Sequence, residues 1–295
     1  MFRPASLGRL LVMAETATGR GTRYWITLVI IGLIGGLLSG AFGVGGGIIM
    51  VPLLISFVQM DQRRAGATSL VAIIPTALVG SVTYFVNDEI DLVAAGIIAA
   101  GAVVGAIIGA VLLRSIPLVW LRWMFIVLML LVAVRMVLLE PVRGDQLDLS
   151  PLVFFGYIAL GLIMGIASGL FGIGGGVIAV PALVAIFGIS DLVAKGTSLL
   201  VLIPTGIVGT IANLRGGLVD VRAGVVVGSA AVAASVPGVA LALLMTPRVS
   251  SILFAALLVV AALQLSVKAV RAQRKARAER KAAADDAPDA DTPPV

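Results

Sequence analysis

The stretch at residues 41–52, AFGVGGGIIMVP, decides the fold, because it places four glycines and a proline inside a long apolar run. In a helix interior, glycine costs about 1 kcal/mol and proline about 3 kcal/mol relative to alanine. The same signal returns at residues 170–181 as LFGIGGGVIAVP. A continuous helix is therefore not expected at either stretch, and both breaks need a structural or functional reason.

The composition predicts an all-α polytopic membrane protein. Of the 295 residues, 60% are hydrophobic and 12% are charged, and apolar runs of about 20 residues recur along the chain, as in membrane-spanning helices. The chain has neither cysteine nor histidine, so it lacks thiols and the commonest metal ligand and general base. We expect no metal and no cofactor, and the chain contains no phosphate-binding G-x-x-x-x-G-K-[ST] loop for ATP hydrolysis.

A shift of 129 residues superposes the second part of the sequence on the first. Residues 40–52 match residues 169–181 at nine of thirteen positions, and the triplets TSL from Thr68 and IPT from Ile74 recur at the same offset. Apolar composition alone does not produce matched glycines, prolines and polar residues at one offset. We predict two homologous repeats, residues 24–139 and 152–270, joined by an external linker at residues 140–151.

Each repeat contains five apolar segments, and the second segment is too short to span a membrane. Its eleven residues form about 16 Å of helix, against a hydrocarbon core of about 30 Å. An odd number of segments per repeat inserts the two repeats in opposite orientations. The predicted fold is therefore two inverted repeats with 8–10 membrane elements and glycine-broken short helices near the midplane. In an eight-span alternative, each glycine-broken stretch is a single crossing.

The distribution of charge predicts which side of the membrane each loop faces. If the segments alternate through the membrane, most arginines and lysines fall on the side of the two termini, which the positive-inside rule makes cytoplasmic. We predict a multi-pass protein of the cell membrane with a cytoplasmic N-terminal arm at residues 1–23 and a cytoplasmic tail at residues 271–295. Basic residues 268–281 are expected to continue the last helix onto anionic lipid, without binding nucleic acid, and acidic residues 282–295 are expected to be disordered.

The glycine motifs are the strongest candidates for a binding site. Inverted repeats with broken helices are typical of secondary transporters. The first N–H groups of a helix lack intrahelical partners and carry the positive end of the helix dipole, which suits an anion. Close helix packing is the alternative reason for glycine, and it is our interpretation of Gly101, Gly105 and Gly109. The candidate anion-binding glycines are Gly43, Gly45, Gly46, Gly47, Gly172, Gly174, Gly175 and Gly176.

The third segment of each repeat supplies further candidates. The hydroxyl groups of Thr68, Ser69, Thr197 and Ser198 could donate hydrogen bonds to an oxyanion, or they could cap a helix. Proline removes a backbone donor and kinks a helix. The candidate hinges are Pro52, Pro75, Pro181 and Pro204.

Three charged residues in or beside the spans have two interpretations each. Lys195 could steer anions toward the site, but we favour a surface lysine whose ammonium group snorkels to the membrane interface. Asp91 and Asp220 lie at predicted helix starts, where a carboxylate is favourable. A role in proton coupling is the alternative for both aspartates.

The twin GxFGxGGGxIxVP motifs, each followed by a TSL…IPT…G segment, resemble the sulfite exporter TauE/SafE family, also called the TSUP permeases. The resemblance covers nearly all of residues 24–270. It implies a secondary transporter of a small anion such as sulfite, a sulfonate or another organosulfur oxyanion, to which a proton or ion could be coupled. An anion-selective channel is the alternative. An intramembrane enzyme is disfavoured, because the spans contain no evident catalytic base.

Overall fold

The computed structural model describes residues 21–138 and 150–285, with side chains up to residue 271. Within these ranges the chain forms ten α-helices and no β-strand. In chain order the helices are α1 Thr22–Phe42, α2 Gly47–Phe57, α3 Gln62–Val86, α4 Leu92–Ser115, α5 Leu118–Leu138, α6 Pro151–Phe171, α7 Gly176–Ala185, α8 Asp191–Leu214, α9 Val221–Leu244 and α10 Pro247–Asp285.

The predicted terminal segments and linker lie largely outside the described residues. These are the N-terminal arm at residues 1–23, the linker at residues 140–151 and the end of the tail at residues 286–295. The last span does continue as a helix through the basic stretch, as predicted, because α10 extends to Asp285. The prediction of disorder from residue 282 is wrong for its first four residues, since the three alanines at 282–284 favour helix.

Eight of the described helices are long and apolar enough to cross a membrane, namely all except α2 and α7. Those two helices have eleven and ten residues, which gives about 15–16 Å each. Both short helices directly follow the glycine motifs. The prediction of an all-helical membrane protein with two glycine-broken short helices is therefore confirmed.

Glycine-lined helix faces show which helices run in the same direction. Gly32, Gly36 and Gly40 of α1 lie against residues 227, 231 and 235 of α9, so these two helices are parallel. The faces of α4 and α6 meet in the same way: the contacts are Gly101 with Ile158, Gly105 with Leu162 and Gly109 with Ile166. These glycines let the backbones approach closely, which confirms packing as the reason for the glycine spacing in α4.

The remaining contacts show that the two repeats are inverted. Helix α3 is parallel to α9, because Gly224 and Gly228 of α9 lie against residues 68–71 and 72–75 of α3. Gly196, near the start of α8, lies against Glu89 and Ile90, which immediately precede α4. Helices α8 and α4 therefore begin at the same end of the bundle.

Helices α3 and α8 are antiparallel, because Leu70 lies against Gly209 while Gly80 lies against Leu199. Under the 129-residue offset, α1 corresponds to α6, α3 to α8 and α4 to α9, and each of these helices opposes its counterpart.

Each short helix folds back along the helix that precedes it. Gly46 and Met50 lie against Gly35 of α1, and Gly175 lies against Met164 of α6. At its far end, α2 meets α10, where the Lys268 ammonium donates to the Ile55 carbonyl oxygen at 2.7 Å. The glycine-broken stretches are therefore hairpins and not single crossings, while the number of described helices long enough to span the membrane is eight. Three left-handed glycines within five residues make this reversal of direction possible.

The two ends of the helix bundle differ in charge. We call the end where α1, α3 and α9 begin the basic end; its described side chains include Arg23, Arg63, Arg64, Arg114, Arg122, Arg215, Arg222, Lys268 and Arg271. We call the opposite end the acidic end; it carries Asp88, Glu89, Asp91 and Asp191, together with the cations Lys195 and Arg248. Both the start of α1 and the extension of α10 lie at the basic end.

Candidate functional site

The two glycine motifs form matching breaks between helices. We call residues 43–47 the first glycine break and residues 172–176 the second glycine break. Gly43 ends α1 with φ 69° and its N–H donates to the Ser39 carbonyl oxygen at 2.8 Å, while Gly46 precedes α2 with φ 73°. The second break repeats this geometry, with φ 72° at Gly172 and φ 86° at Gly175. Any side chain at these positions would strain the backbone.

The last glycine of each motif has a different role, which is contact between the repeats. A Cβ atom at Gly47 would lie 2.7 Å from the Gly172 carbonyl oxygen, and one at Gly176 would lie 2.7 Å from the Gly43 carbonyl oxygen. The two breaks therefore touch each other inside the protein, and all ten of their residues are buried. The structure brings together all eight glycines that the sequence nominates for the site.

The starts of α2 and α7 leave backbone donors without partners. The first helical bonds are made by Ile49 and Met50 to the Gly46 carbonyl, and by Ile178 and Ala179 to the Gly175 carbonyl. Among the described residues, no acceptor receives the N–H groups of Gly47, Ile48, Gly176 or Val177. These four residues are buried, whereas buried backbone donors are nearly always paired in proteins. Two sets of unpaired donors therefore converge on one buried region with the positive ends of two helix dipoles.

Two apolar side chains contact both glycine breaks. Ile73 of α3 and Leu202 of α8 are equivalent under the repeat offset, and both are fully buried. Cβ atoms built at Gly45 and at Gly174 would each contact both of these side chains. Ile73 and Leu202 thus pack against both breaks where the two repeats meet. This pair was not nominated from the sequence; its shared offset, within the segments that carry the TSL and IPT triplets, is the signal that could have found it.

The four nominated hydroxyl groups are used inside the protein. Ser69 donates to the Gly172 carbonyl oxygen and Ser198 donates to the Gly43 carbonyl oxygen, so each serine holds the glycine break of the other repeat. Thr68 accepts the Asp220 N–H and Thr197 accepts the Asp91 N–H, each at 3.0 Å. In this conformation, the hydroxyl groups link the two repeats at the edge of the site.

Lys195 forms a buried ion pair, so our preferred prediction of a snorkelling surface lysine is wrong. Its side chain is 2% exposed, and its ammonium group lies 2.5 Å from the Asp191 carboxylate and 2.8 Å from the Ser250 hydroxyl. The main chain of Lys195 also packs against Gly43 of the first glycine break. The spacing of Asp191 and Lys195, four residues apart on one helix, is the sequence signal for this pair.

Asp91 and Asp220 occupy helix starts, as their favoured interpretation predicts. The Asp91 carboxylate accepts the N–H groups of Val93 and Ala94 at 3.0 and 2.9 Å, and the Asp220 carboxylate accepts that of Ala223 at 3.1 Å. Asp220 also pairs with Arg64 at 3.3 Å.

The four nominated prolines lie inside helices. Pro52 and Pro181 lie in α2 and α7, while Pro75 and Pro204 lie in α3 and α8. In the described ranges, no group of three aspartates or glutamates is arranged to hold a metal ion.

Comparisons with known proteins point to one family. The family model described as "Sulfite exporter TauE/SafE" matches residues 2–136 and 157–288. The protein named "Probable membrane transporter protein YunE" of Bacillus subtilis is 28% identical over 219 residues, which cover 66% of this chain and 80% of that protein. "Probable membrane transporter protein YdhB" of the same organism is 28% identical over 198 residues, or 65% of this chain and 80% of that protein.

A third relative agrees with these two. A "Probable membrane transporter protein" of Xylella fastidiosa is 31% identical over 192 residues, which cover 64% of this chain and 73% of that protein. No solved structure matches the chain.

Proposed function

Because the chain belongs to the sulfite exporter TauE/SafE family, we propose that it is a secondary transporter of a small oxyanion of the sulfite or sulfonate type. The proposed binding site lies at the two glycine breaks, where the starts of α2 and α7 approach each other. Its ligands are the backbone N–H groups at the starts of α2 and α7, one set from each repeat.

The observation that carries this proposal is the set of buried, unpaired N–H groups at Gly47, Ile48, Gly176 and Val177. Leaving a buried donor unpaired costs about 1–3 kcal/mol, so these positions favour an acceptor from outside the protein. An oxyanion offers several acceptor oxygens and a negative charge that the helix dipoles stabilise.

The inverted arrangement of the repeats supports alternating access over a permanent pore. A site at the interface between inverted repeats can face either side of the membrane when one repeat rocks against the other. In this conformation, the breaks contact each other directly, and Ile73 and Leu202 pack against both of them. This packed contact favours a transporter over the alternative of an anion-selective channel.

We also propose that the basic end faces the cytoplasm, as the positive-inside rule predicts for short loops rich in arginine and lysine. Both termini would then be cytoplasmic. The substrate would pass between the cytoplasm and the far side of the cell membrane.

Flux through proteoliposomes tests the proposal. The full chain is assayed with sulfite, a sulfonate, thiosulfate and acetate, each with and without a pH gradient. The decisive variants are Ile48→Pro and Val177→Pro, because proline is tolerated in the first turn of a helix yet removes the N–H group. Ile48→Ala and Val177→Ala are matched controls, since they shorten the same side chains and keep the N–H group.

We expect oxyanion flux that falls about tenfold or more in each proline variant relative to its alanine control, as for the loss of one hydrogen bond to a charged group. Equal flux in the proline and alanine variants would contradict binding by these N–H groups. A flux that saturates and responds to the pH gradient indicates a coupled transporter, whereas an unsaturable flux indicates a channel.

A further inference from the structure

A second polar site lies at the basic end, one helical turn from the contact between Gly66 and Gly172 of the second glycine break. A cavity of about 460 Å³, which we call the basic-end cavity, opens between the end of α2, the starts of α3 and α5, and α10. Its polar lining consists of Gln59, Asp61, Gln62, Arg122, Lys268 and Arg271.

Gln62 is the unusual residue of this lining. Its side chain is 1% exposed, and neither its amide oxygen nor its amide nitrogen has a hydrogen-bond partner among the described residues. Buried side-chain amides are normally paired with protein or water, and an unpaired one is destabilising. The Gln62 amide therefore indicates a polar occupant of the cavity.

The charges around Gln62 favour an anion as that occupant. Arg122, Lys268 and Arg271 line the cavity, and none of them forms a salt bridge within the part of the chain whose side chains are described. Asp61 is the carboxylate of the lining, and it already accepts the N–H groups of Arg63 and Arg64 as the cap of α3. Three cations thus outweigh one capped carboxylate, and an anion would relieve the repulsion between them.

The inverted repeat gives an internal comparison. The 129-residue offset places Asp191 in the second repeat at the position of Gln62, and Lys195 at the position of Gly66. At the acidic end, the Asp191 carboxylate is neutralised by Lys195, which also binds Ser250. The second repeat therefore satisfies this position with its own ion pair. The first repeat has a cavity, an unpaired amide and excess positive charge in the same place.

We propose that the basic-end cavity is a binding site for a small oxyanion group, which the Gln62 amide, Arg122 and Lys268 hold. The group is a sulfur or phosphorus oxyanion, either free in solution or carried by the headgroup of an anionic lipid. None of the residues that line the cavity belongs to a glycine break, so its occupancy can be measured separately from flux through the proposed transport site.

Equilibrium binding of sulfate to the full chain tests this site. The protein is placed in nanodiscs of neutral phosphatidylcholine and titrated with sodium sulfate at constant ionic strength, with calorimetry as the readout. We expect Gln62→Leu and Arg122→Gln each to weaken sulfate binding about tenfold or more, as for lost hydrogen bonds to a charged ligand. Arg215→Gln is the matched control, since Arg215 is exposed at the same end and does not line the cavity; we expect binding within about twofold of the unchanged protein.

A second measurement distinguishes the source of the oxyanion. Native mass spectrometry of the protein from nanodiscs doped with phosphatidylglycerol counts retained lipids. A lipid that is retained by the unchanged protein and by Arg215→Gln but lost in Gln62→Leu and Arg122→Gln assigns the site to a headgroup; sulfate binding without such retention assigns it to a free anion. The proposal is overturned if neither sulfate affinity nor lipid retention differs between the cavity variants and the control. Loss of flux in the Ile48→Pro variant with unchanged sulfate binding would show that the change affects the proposed transport site and not the basic-end cavity.

Discussion

The Lys195 ammonium lies 2.5 Å from the Asp191 carboxylate, one helical turn away on α8, and both side chains are buried. Removing one member of a buried ion pair leaves an uncompensated charge, which is strongly destabilising, whereas removing both is often tolerated. We expect Lys195→Met to lower the free energy of unfolding by about 3–5 kcal/mol. We expect Lys195→Met combined with Asp191→Asn to lower it by clearly less than the sum of the single changes. Unfolding of the purified protein in detergent measures this double-mutant cycle, and additive effects would argue against a coupled pair.

The pair Ile73 and Leu202 should block the passage of ions where the glycine breaks meet. Ile73→Ala combined with Leu202→Ala removes both side chains from the contact between the repeats. We therefore expect small anions to leak across the membrane even when no transported substrate is present. Entrapped anion-sensitive fluorescence in proteoliposomes measures the leak. Leu28→Ala combined with Leu258→Ala is the control, because both leucines are equally buried and each change costs about 2–5 kcal/mol through the cavity that it creates. An equal leak in the control would show that loss of stability, not loss of a barrier, is responsible.

Thr68 and Thr197 should contribute to stability through the helix starts of the opposite repeat. Each hydroxyl accepts the N–H of an aspartate, Asp220 or Asp91, that caps α9 or α4. Thr68→Val and Thr197→Val keep the side-chain shape but remove this acceptor, and we expect each to cost about 1–3 kcal/mol. Serine at either position keeps the hydroxyl and should cost less. Chemical unfolding of the four variants checks this, and valine variants as stable as the serine variants would refute it.

The pH dependence of stability should contain a contribution from Glu89, in the loop between α3 and α4. Burial of the carboxyl group, followed by the nearby negative charges of Asp191 and Asp88, raises the pKa of Glu89 above its ordinary 4.5. Between 4.5 and the raised pKa, the folded state binds more protons than the unfolded state, so stability falls as the pH rises through this window. Glu89→Gln should flatten this fall when thermal midpoints are compared across pH. The same slope in both proteins would contradict the assignment.

The inverted arrangement predicts a specific labelling pattern. The chain has no cysteine, so single cysteines can be introduced at exposed positions. Gln59→Cys and Arg222→Cys lie at the basic end in different repeats, while Asn87→Cys and Arg248→Cys lie at the acidic end. A membrane-impermeant maleimide added to intact cells should label the second pair alone, and disruption of the membrane should expose the first pair. Labelling of all four from outside would reject the proposed orientation.

The repeat and its inversion could be predicted from the sequence because they depend on local signals. The glycine motif marks a left-handed backbone at Gly43 and Gly46, a conformation that only glycine adopts at little cost. The number of segments and the loop charges then gave the relative orientation of the repeats. None of these inferences required knowledge of which helices touch.

The partners of individual side chains could not be predicted, because they depend on contacts between distant segments. Ser69 and Ser198 hold carbonyl oxygens more than a hundred residues away. Burial of Lys195 depends on Ser250, which α10 brings to α8. The sequence nominated hydroxyl groups that lie beside the glycine breaks, but it could not show that the protein itself already occupies them.

The pairing of α1 with α9 has a consequence for biosynthesis. The glycine face of α1 is covered by α9, which begins at Val221. This face therefore stays uncovered until about 180 more residues have been synthesised. At translation rates of about 5–20 residues per second, this delay is about 10–35 s. During that time α1 lacks its partner in the bilayer, and other small-residue surfaces can compete for its glycine face. The contact between α1 and α9 is therefore completed late, after most of the described helices have been synthesised.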